Sequence, residues 1–291
     1  MNTTESPDIT IRDWIMQASQ KLLEQGSDSP KLDAELILCH LLGKSRSYLF
    51  GWGDEPLLPS IQSQANELLE RRLAGEPVAY LIGFREFWSL RLQVNPSTLI
   101  PRPDTETLVE WALELPLLPV SRVLDLGTGT GAIALALASE QPSWQVEAVD
   151  LKQEAVELAI SNARMNGLDR VKLYQSDWFE KVSGRFDLIV SNPPYIDPED
   201  PHLSQGDVRF EPSSALTADE QGLADLRFLS SYAKTFLKEG GWLLMEHGYD
   251  QAQAVQGLLK ENGFVNVTTR EDLAGQPRVT GGQWPEGIVL A

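Results

Sequence analysis

Val123-Leu124-Asp125-Leu126-Gly127-Thr128-Gly129-Thr130-Gly131 is an apolar run of strand length that breaks into alternating glycines and then meets the alanine-rich stretch Ala132 to Ala138. Glycines at such a turn accept backbone angles that other residues resist, let a ligand approach the main chain, and open the N-terminal amides of the following helix. Working outward, the same alternation continues. Val146 to Val149, Val171 to Tyr174, Phe186 to Val190 and Trp242 to Met245 are short apolar runs, separated by helical stretches such as Glu154 to Met165 and Leu223 to Leu237. Strands that alternate with helices in this way predict an α/β fold with a doubly wound, mostly parallel sheet covered on both faces. Phe264 to Thr268 and Gly287 to Leu290 are expected to close the sheet, one of them antiparallel.

The glycine loop by itself leaves the cofactor open. Gly127, Gly129 and Ala132 also satisfy the dinucleotide fingerprint. Asp150 ends the next strand roughly 20 residues on, where a carboxylate can accept from both ribose hydroxyls of either kind of nucleoside cofactor. Asp177-Trp178 follows the third strand, placed so that a carboxylate can accept from an adenine amino group and an indole can cover the ring.

Asn192-Pro193-Pro194-Tyr195 narrows the choice, because it follows the fourth strand at the carboxyl edge where open α/β sheets bind ligands. Two prolines remove two N–H donors and stiffen the turn, so carbonyl oxygens can face a cleft without local competition. An amide or exocyclic NH2 has two hydrogens to give. The Asn192 side-chain oxygen and the Pro193 carbonyl can each take one, while the Tyr195 ring packs on the planar group. The constellation suits recognition of a planar nitrogen.

The rest of the chain bounds the partners. At 291 residues, one large domain with a smaller appendage is expected. Residues 1–7 are polar and acidic, unlike a signal peptide, and no apolar stretch has membrane-spanning length, which points to the cytoplasm. The net charge of -18, from 24 basic and 42 acidic residues, sets a repulsive field against phosphates; a basic protein partner fits better than free duplex. Arg71-Arg72 reads as solvated charge. The single cysteine, Cys39, reads as a small buried hydrophobe, and His40, His202 and His247 receive no role.

Before the strands, Ile11, Trp14, Ile15, Ala18 and Leu22 recur at helical spacing behind a capping box at Thr10 and Asp13. Ser29-Pro30 opens a second helix that Gly43 ends, and a third runs near Ser60 to Leu73. Phe84 to Val94 alternates like a strand. Asn95 to Asp104 is a proline-rich connector, and Thr105 to Leu115 resumes helical character.

Taken together with Gly75-Glu76-Pro77-Val78, Phe84-Arg85-Glu86-Phe87-Trp88 and Leu99-Ile100-Pro101-Arg102-Pro103-Asp104-Thr105-Glu106, the glycine loop and the Asn-Pro-Pro-Tyr turn make nearly the whole chain resemble the peptide-chain release factor glutamine methyltransferases, the HemK/PrmC family. The resemblance implies a class I S-adenosylmethionine-dependent methyltransferase with a Rossmann-like sheet. It also implies a helical substrate-docking domain over residues 1–83, a β-hairpin and proline-rich linker over 84–104, and a catalytic domain over 105–291. The implied reaction moves a methyl group to the side-chain N5 of the glutamine in the Gly-Gly-Gln motif of class-one release factors, by a monomer that needs no metal and touches no nucleic acid or membrane directly. Cofactor contacts are implied at Gly127, Thr128, Gly129, Thr130, Gly131, Asp150, Asp177, Trp178 and Asn192, and the substrate glutamine on Asn192, Pro193, Pro194 and Tyr195. Glu246-His247-Gly248 is similar to the family's late strand. The segment after Glu271 departs from the pattern, and its Gly281-Gly282-Gln283 copies the target tripeptide, which reads as a chance match in a glycine turn.

Two other activities share parts of this signature. A DNA adenine N6-methyltransferase would use the same turn on an adenine amino group, but has to flip a base and hold a duplex against the acidic balance. A nicotinamide-dependent oxidoreductase would explain the glycine loop and leave the Asn-Pro-Pro-Tyr turn without a purpose.

Overall fold

The computed structural model describes residues 9–287, and the chain divides into two units, Met1–Gly83 and Phe84–Ala291. In the first, α1 (Ile11–Glu24) buries Ile11, Trp14, Ala18 and Leu22. Its start forms half of the expected box: the Thr10 hydroxyl accepts from the Asp13 N–H at 3.1 Å and donates to the Asp13 carboxylate at 2.8 Å. Helix α2 (Pro30–Leu42) begins on proline and ends at Gly43, whose φ of 62° is the left-handed cap that glycine adopts without cost. Short α3 (Arg46–Gly51) and α5 (Val78–Ile82) flank α4 (Pro59–Leu73); both are too short to show a helical period in the sequence.

One charge in this unit departs from expectation. Arg72 is not solvated: its Nε donates to Asp33 at 2.8 Å, and Asp33 is 2% exposed and also accepts from the Ser27 and Ser29 hydroxyls. Ser29 therefore spends its side chain on Asp33 rather than on the helix cap. Arg71 pairs with Glu76 through two hydrogen bonds. Cys39 is only half-buried at the edge of this core, and burial raises its thiol pKa.

The second unit opens with an antiparallel hairpin, β1 (Phe84–Phe87) and β2 (Leu90–Gln93), whose turn places Trp88 and Ser89 at positive φ. After a 3-10 turn at Pro103–Thr105 comes α6 (Glu106–Glu114), then β3 (Arg122–Leu126), α7 (Ala132–Glu140), β4 (Gln145–Asp150), α8 (Gln153–Met165), β5 (Lys172–Gln175) and β6 (Phe186–Ser191). A loop with several 3-10 turns leads to α9 (Asp219–Gly222) and α10 (Ala224–Phe236); β7 (Leu237–Glu246), α11 (Ala252–Glu261), β8 (Val265–Glu271) and β9 (Pro277–Gln283) complete the unit.

The seven strands lie in the order β5-β4-β3-β6-β7-β9-β8, all parallel except β9, which pairs antiparallel with both neighbours. Side chains alternate between two cores, as strands buried on both faces require. Val123, Leu188, Val190 and Leu244 pack with α6 and α7 on one side; Leu124, Leu126, Ile189, Leu243 and Met245 pack with α10 and α11 on the other. The central strands thus read as unbroken apolar runs.

The sheet's closing edge is displaced from the sequence expectation. β8 takes up the expected Phe264 to Thr268, and the antiparallel strand is Pro277–Gln283; of the expected Gly287 to Leu290, Gly287 is coil and residues 288–290 lie outside the described residues. Gly281-Gly282-Gln283 is therefore strand rather than turn. Its glycines lie where helices press on the sheet from both sides. A Cβ on Gly281 would meet Leu244 Cδ2 at 2.4 Å and Trp111 of α6 at 2.8 Å, and one on Gly282 would meet Phe264 Cβ at 3.0 Å. Close approach explains glycine in a strand interior here, and the tripeptide is held in the sheet.

Gly281→Ala is accordingly expected to destabilise the protein by roughly 1–3 kcal/mol through overpacking. Urea denaturation of the variant measures it; a midpoint equal to that of the parent would show that the contact between α6 and the sheet is loose.

Candidate active site

The order of strands reverses at β3, which has β4 on one side and β6 on the other, so the loops after β3 and β6 diverge and leave a crevice at their carboxyl ends. The Ser191 hydroxyl donates to the Leu126 carbonyl at 2.8 Å and ties the two strand ends together. From this point the glycine loop and the Asn-Pro-Pro-Tyr turn face one cavity. It is lined by Gly127 to Thr130, Asp150, Asp177, Trp178, Asn192 and Pro194, along with Thr98, Thr105 and Asp225. Gly131 is not on the wall: it is the left-handed N-cap of α7, buried against Leu135 and Ala159.

The loop's hydrogen bonds decide what it can hold. Gly127 and Thr128 N–H both donate to the Val149 carbonyl, at 3.0 and 2.9 Å, Gly131 N–H donates to the Thr128 carbonyl at 2.8 Å, and Gly129 N–H donates to Asp150 Oδ2 at 2.9 Å. Four of the loop's backbone donors are thus engaged within the protein. The wall carries three carboxylates, Asp150, Asp177 and Asp225, against one ammonium, Lys152, a net acidic field that disfavours phosphate and suits a cation. Asp150 accepts from Gly129 and from Lys152 N–H, one bond on each oxygen, which leaves each a lone pair for a vicinal diol. Burial raises its pKa and outweighs those bonds. Gly127, at φ 72°, has no side chain to hold off the Trp178 indole, whose ring atoms lie 3.5 and 3.7 Å from where a Cβ would stand. Trp178 itself takes a positive φ of 43°, so the strand end is bent to lay the indole along the cavity. These walls fit the ribose, ring and sulfonium of S-adenosylmethionine.

A second cavity continues past Asn192. Leu99, Arg102, Asp104, Pro193, Tyr195, Ile196, Val208, Ala215 and Leu216 line it, and Leu99, Asn192 and Ala215 belong to both walls. Asn192 stands at the junction. Its Nδ2 donates to Thr105 Oγ1 at 3.4 Å, which leaves Oδ1 as the amide's outward acceptor. Pro193 is buried, and the turn is fastened from behind: the Tyr195 carbonyl accepts from Gln251 Nε2 at 2.9 Å, and the Tyr195 and Ile196 N–H groups donate to the Leu216 carbonyl. A Cβ on Gly222 would fall 2.1 Å from the Tyr195 carbonyl oxygen, so the left-handed turn of α9 is pressed against it.

Several residues in or behind this site are given no role by the sequence. Glu211 is buried, accepts from the Ile100 N–H at 2.9 Å and pairs with Arg102, tying the loop after β6 to the proline-rich segment; burial raises its pKa despite the arginine. Asp225, raised by burial and by Asp177 and Asp219, opens α10, where it reads as ordinary first-turn acid. Asp125 is fully buried at the end of β3, accepts from the Thr128 hydroxyl at 2.6 Å and from Ala134 N–H, and is pushed up to about 7 by burial. His247 is also fully buried. Its Nδ1–H donates to the Gly248 carbonyl at 2.8 Å and its Nε2 accepts from the Thr280 hydroxyl at 2.7 Å, a neutral arrangement consistent with a pKa lowered by burial. His40 and His202 are exposed. Among the described residues no cluster of side chains could hold a metal ion, and no helix is long and apolar enough to cross a membrane.

Both units of the chain resemble known proteins. Residues 13–83 match the family model "PrmC N-terminal domain" and residues 105–208 match "Methyltransferase small domain". The chain is 55% identical over 278 residues to the release factor glutamine methyltransferase of Vibrio cholerae, covering 95% of this chain and 97% of that one. It is 52% identical to its counterpart in Aliivibrio fischeri, covering 95% and 98%. Among solved structures, a methyltransferase from Pyrococcus furiosus shares the fold, with a TM-score of 0.53 and 19% identity over 76% of this chain and 99% of that one.

Calorimetry is expected to show S-adenosylmethionine and its demethylated product competing for one site, with no heat from NADH. Asp150→Asn should weaken that binding about tenfold to a hundredfold, the loss of a charged hydrogen-bond acceptor. NADH binding, or an Asp150→Asn variant with unchanged affinity, would contradict this assignment of the walls.

Proposed function

The chain belongs to the release factor glutamine methyltransferases, and from that premise we propose that it methylates the side-chain N5 of the glutamine in the Gly-Gly-Gln motif of class-one peptide-chain release factors, as a cytoplasmic monomer that uses neither metal nor nucleic acid. One observation supports the reading above all others: Asn192 stands where the carboxylate-lined cavity meets the cavity of Pro193 and Tyr195. A donor in the first and a planar amide in the second would meet at that residue.

S-adenosylmethionine, when bound, supplies an electrophilic methyl group on a sulfonium. The protein's part is to make a poor nucleophile reactive. An amide nitrogen has its lone pair delocalised into the carbonyl, and two acceptors that take both hydrogens favour density out of the amide plane. Asn192 Oδ1 and the Pro193 carbonyl serve as those acceptors, and the Tyr195 ring packs on the amide. Holding the nitrogen in line supplies the remaining advantage, worth several kcal/mol on the order of other oriented reactions. No strong general base is needed, since the methylated amide is acidic enough to lose its extra proton to solvent.

The helical unit is assigned to docking. Phe50, 90% exposed, and Trp52, stacked on Tyr48 at 5.0 Å between centroids, offer an aromatic surface on it. The acidic balance of the chain favours a basic partner over nucleic acid.

Two tests address this function. Asn192→Ala is expected to lower the single-turnover rate on the order of a hundredfold, with a smaller change in substrate affinity. Asn192→Asp should retain partial, pH-sensitive activity and Tyr195→Ala should be severely impaired; an Asn192→Ala rate near that of the parent would move the chemistry elsewhere. Replacing Phe50 and Trp52 by serine should raise KM for an intact release factor and leave methylation of a short Gly-Gly-Gln peptide unchanged. Equal KM values for the intact factor would remove the docking role from this surface.

A further inference from the structure

Behind the Asn-Pro-Pro-Tyr turn lies a buried acid that the reaction as described does not use. Glu246, the last residue of β7, is 1% exposed. Its Oε1 accepts from the Tyr195 hydroxyl at 3.2 Å, and its Oε2 is buried without a hydrogen bond. The Thr105 side chain opposes the rise of this carboxyl's pKa, although its hydroxyl makes no hydrogen bond with either carboxylate oxygen here. Thr105 is itself 4% exposed, and its oxygen already accepts from Asn192 Nδ2. A buried hydroxyl needs an acceptor for its proton, and the free carboxylate oxygen needs a donor. Each supplies what the other lacks.

We propose that Glu246 is a positioning residue for the methyl-acceptor turn: its carboxylate accepts a hydrogen bond from the Thr105 hydroxyl, so that Thr105 can only accept from the Asn192 amide nitrogen and Asn192 Oδ1 is left facing the substrate. The inference rests on the functional reading above. The logic is one of polarity. Asn192 could present either its oxygen or its nitrogen to the second cavity with almost the same shape, and only one choice accepts a hydrogen from the glutamine amide. With an ionised Glu246, acceptor on both oxygens, the Thr105 proton points away from Asn192. With a protonated Glu246, a donor appears in the network, Thr105 can turn its proton toward Asn192, and the amide can flip. The same carboxylate holds the Tyr195 hydroxyl, so both side chains of the turn are oriented from one point.

The surroundings of Glu246 make this polarity sensitive to pH. Burial pushes its carboxyl up to about 7, against the opposing pull of Thr105, Arg278 of β9 and Tyr195, and with Asp104 adding to the rise. Arg278 is held in turn by Asp272 at 3.0 Å and Asp104 at 3.6 Å. The rate is therefore expected to fall as pH drops through the neutral range, where Glu246 takes up a proton, and to level off above it.

Single-turnover methylation of a Gly-Gly-Gln peptide by the full chain, at saturating S-adenosylmethionine, tests the proposal. Thr105→Val, which keeps the shape and removes the hydroxyl, should lose roughly tenfold to a hundredfold in rate with little change in KM, as expected of a small misplacement at the reacting atom. Thr105→Ser should recover most of it. Glu246→Gln should lose a comparable factor and its acid limb. A Thr105→Val rate within threefold of the parent overturns the proposal, as does a Thr105→Ser variant no better than Thr105→Val, a loss confined to KM, or a Thr105→Val protein that no longer binds S-adenosylmethionine by calorimetry. If Glu246→Gln does not fold, the contrast between valine and serine at position 105 still decides. A parent protein that fails to methylate the peptide would refute the functional reading instead, whereas an active parent with an equally active Thr105→Val variant refutes only the role of Glu246.

Discussion

The parallel pairing of β3 with β6 at the centre of the sheet is the constraint on which the site depends. Sequence neighbours of β3 continue outward through β4 and β5, while β6 turns the chain to the other side. The loops leaving these two strands must part, and the gap between them is where a ligand can reach main chain from both. Burial of both strands fixes their height relative to each other, and the Ser191 hydroxyl on the Leu126 carbonyl locks the ends. The glycine loop and the proline turn, some sixty residues apart in sequence, become two walls of one crevice.

Around that crevice, polar groups that would be costly in a core are retained for what they orient. Asp150 organises the glycine loop through Gly129 and Lys152 while keeping lone pairs for a ligand. Glu211 fastens the loop after β6 to the proline-rich segment, and Asn162, fully buried, joins the Thr130 carbonyl to the backbone of Gln93 on the hairpin. Each is hydrogen-bonded to backbone, and removing one would leave an unpaired partner rather than a neutral gap. The carboxylates that remain on the wall make the cavity a place for a cation, which separates this glycine loop from those that bind phosphates.

Much of this architecture is legible in the residues. The apolar runs at Val123 to Leu126 and Phe186 to Val190 announce buried parallel strands, and glycine after one with paired prolines after the other mark where regular structure must stop. What periodicity cannot show is the edge of the sheet. β9 reads as polar and glycine-rich because Leu244 and Trp111 of α6 crowd Gly281, and Phe264 and Val267 crowd Gly282, leaving little room for a side chain. The pattern that elsewhere signals a turn here records close packing. Arg72 likewise looks like surface charge until Asp33, thirty-nine positions away, is brought beneath it.

The sequence by itself determined the fold class, the succession of strands and helices, and the identity of the two loops that line the cavity, because these follow from local hydrophobic period and from the stereochemistry of glycine and proline. Only the tertiary structure decided which donors of the glycine loop were already spent, which face of Asn192 is turned outward, and that Glu246 and Thr105 lie behind it. Those properties belong to hydrogen bonds between residues far apart in the chain. A side chain's role as donor or acceptor is set by its partner, and partners of that kind are assigned when the strands pair.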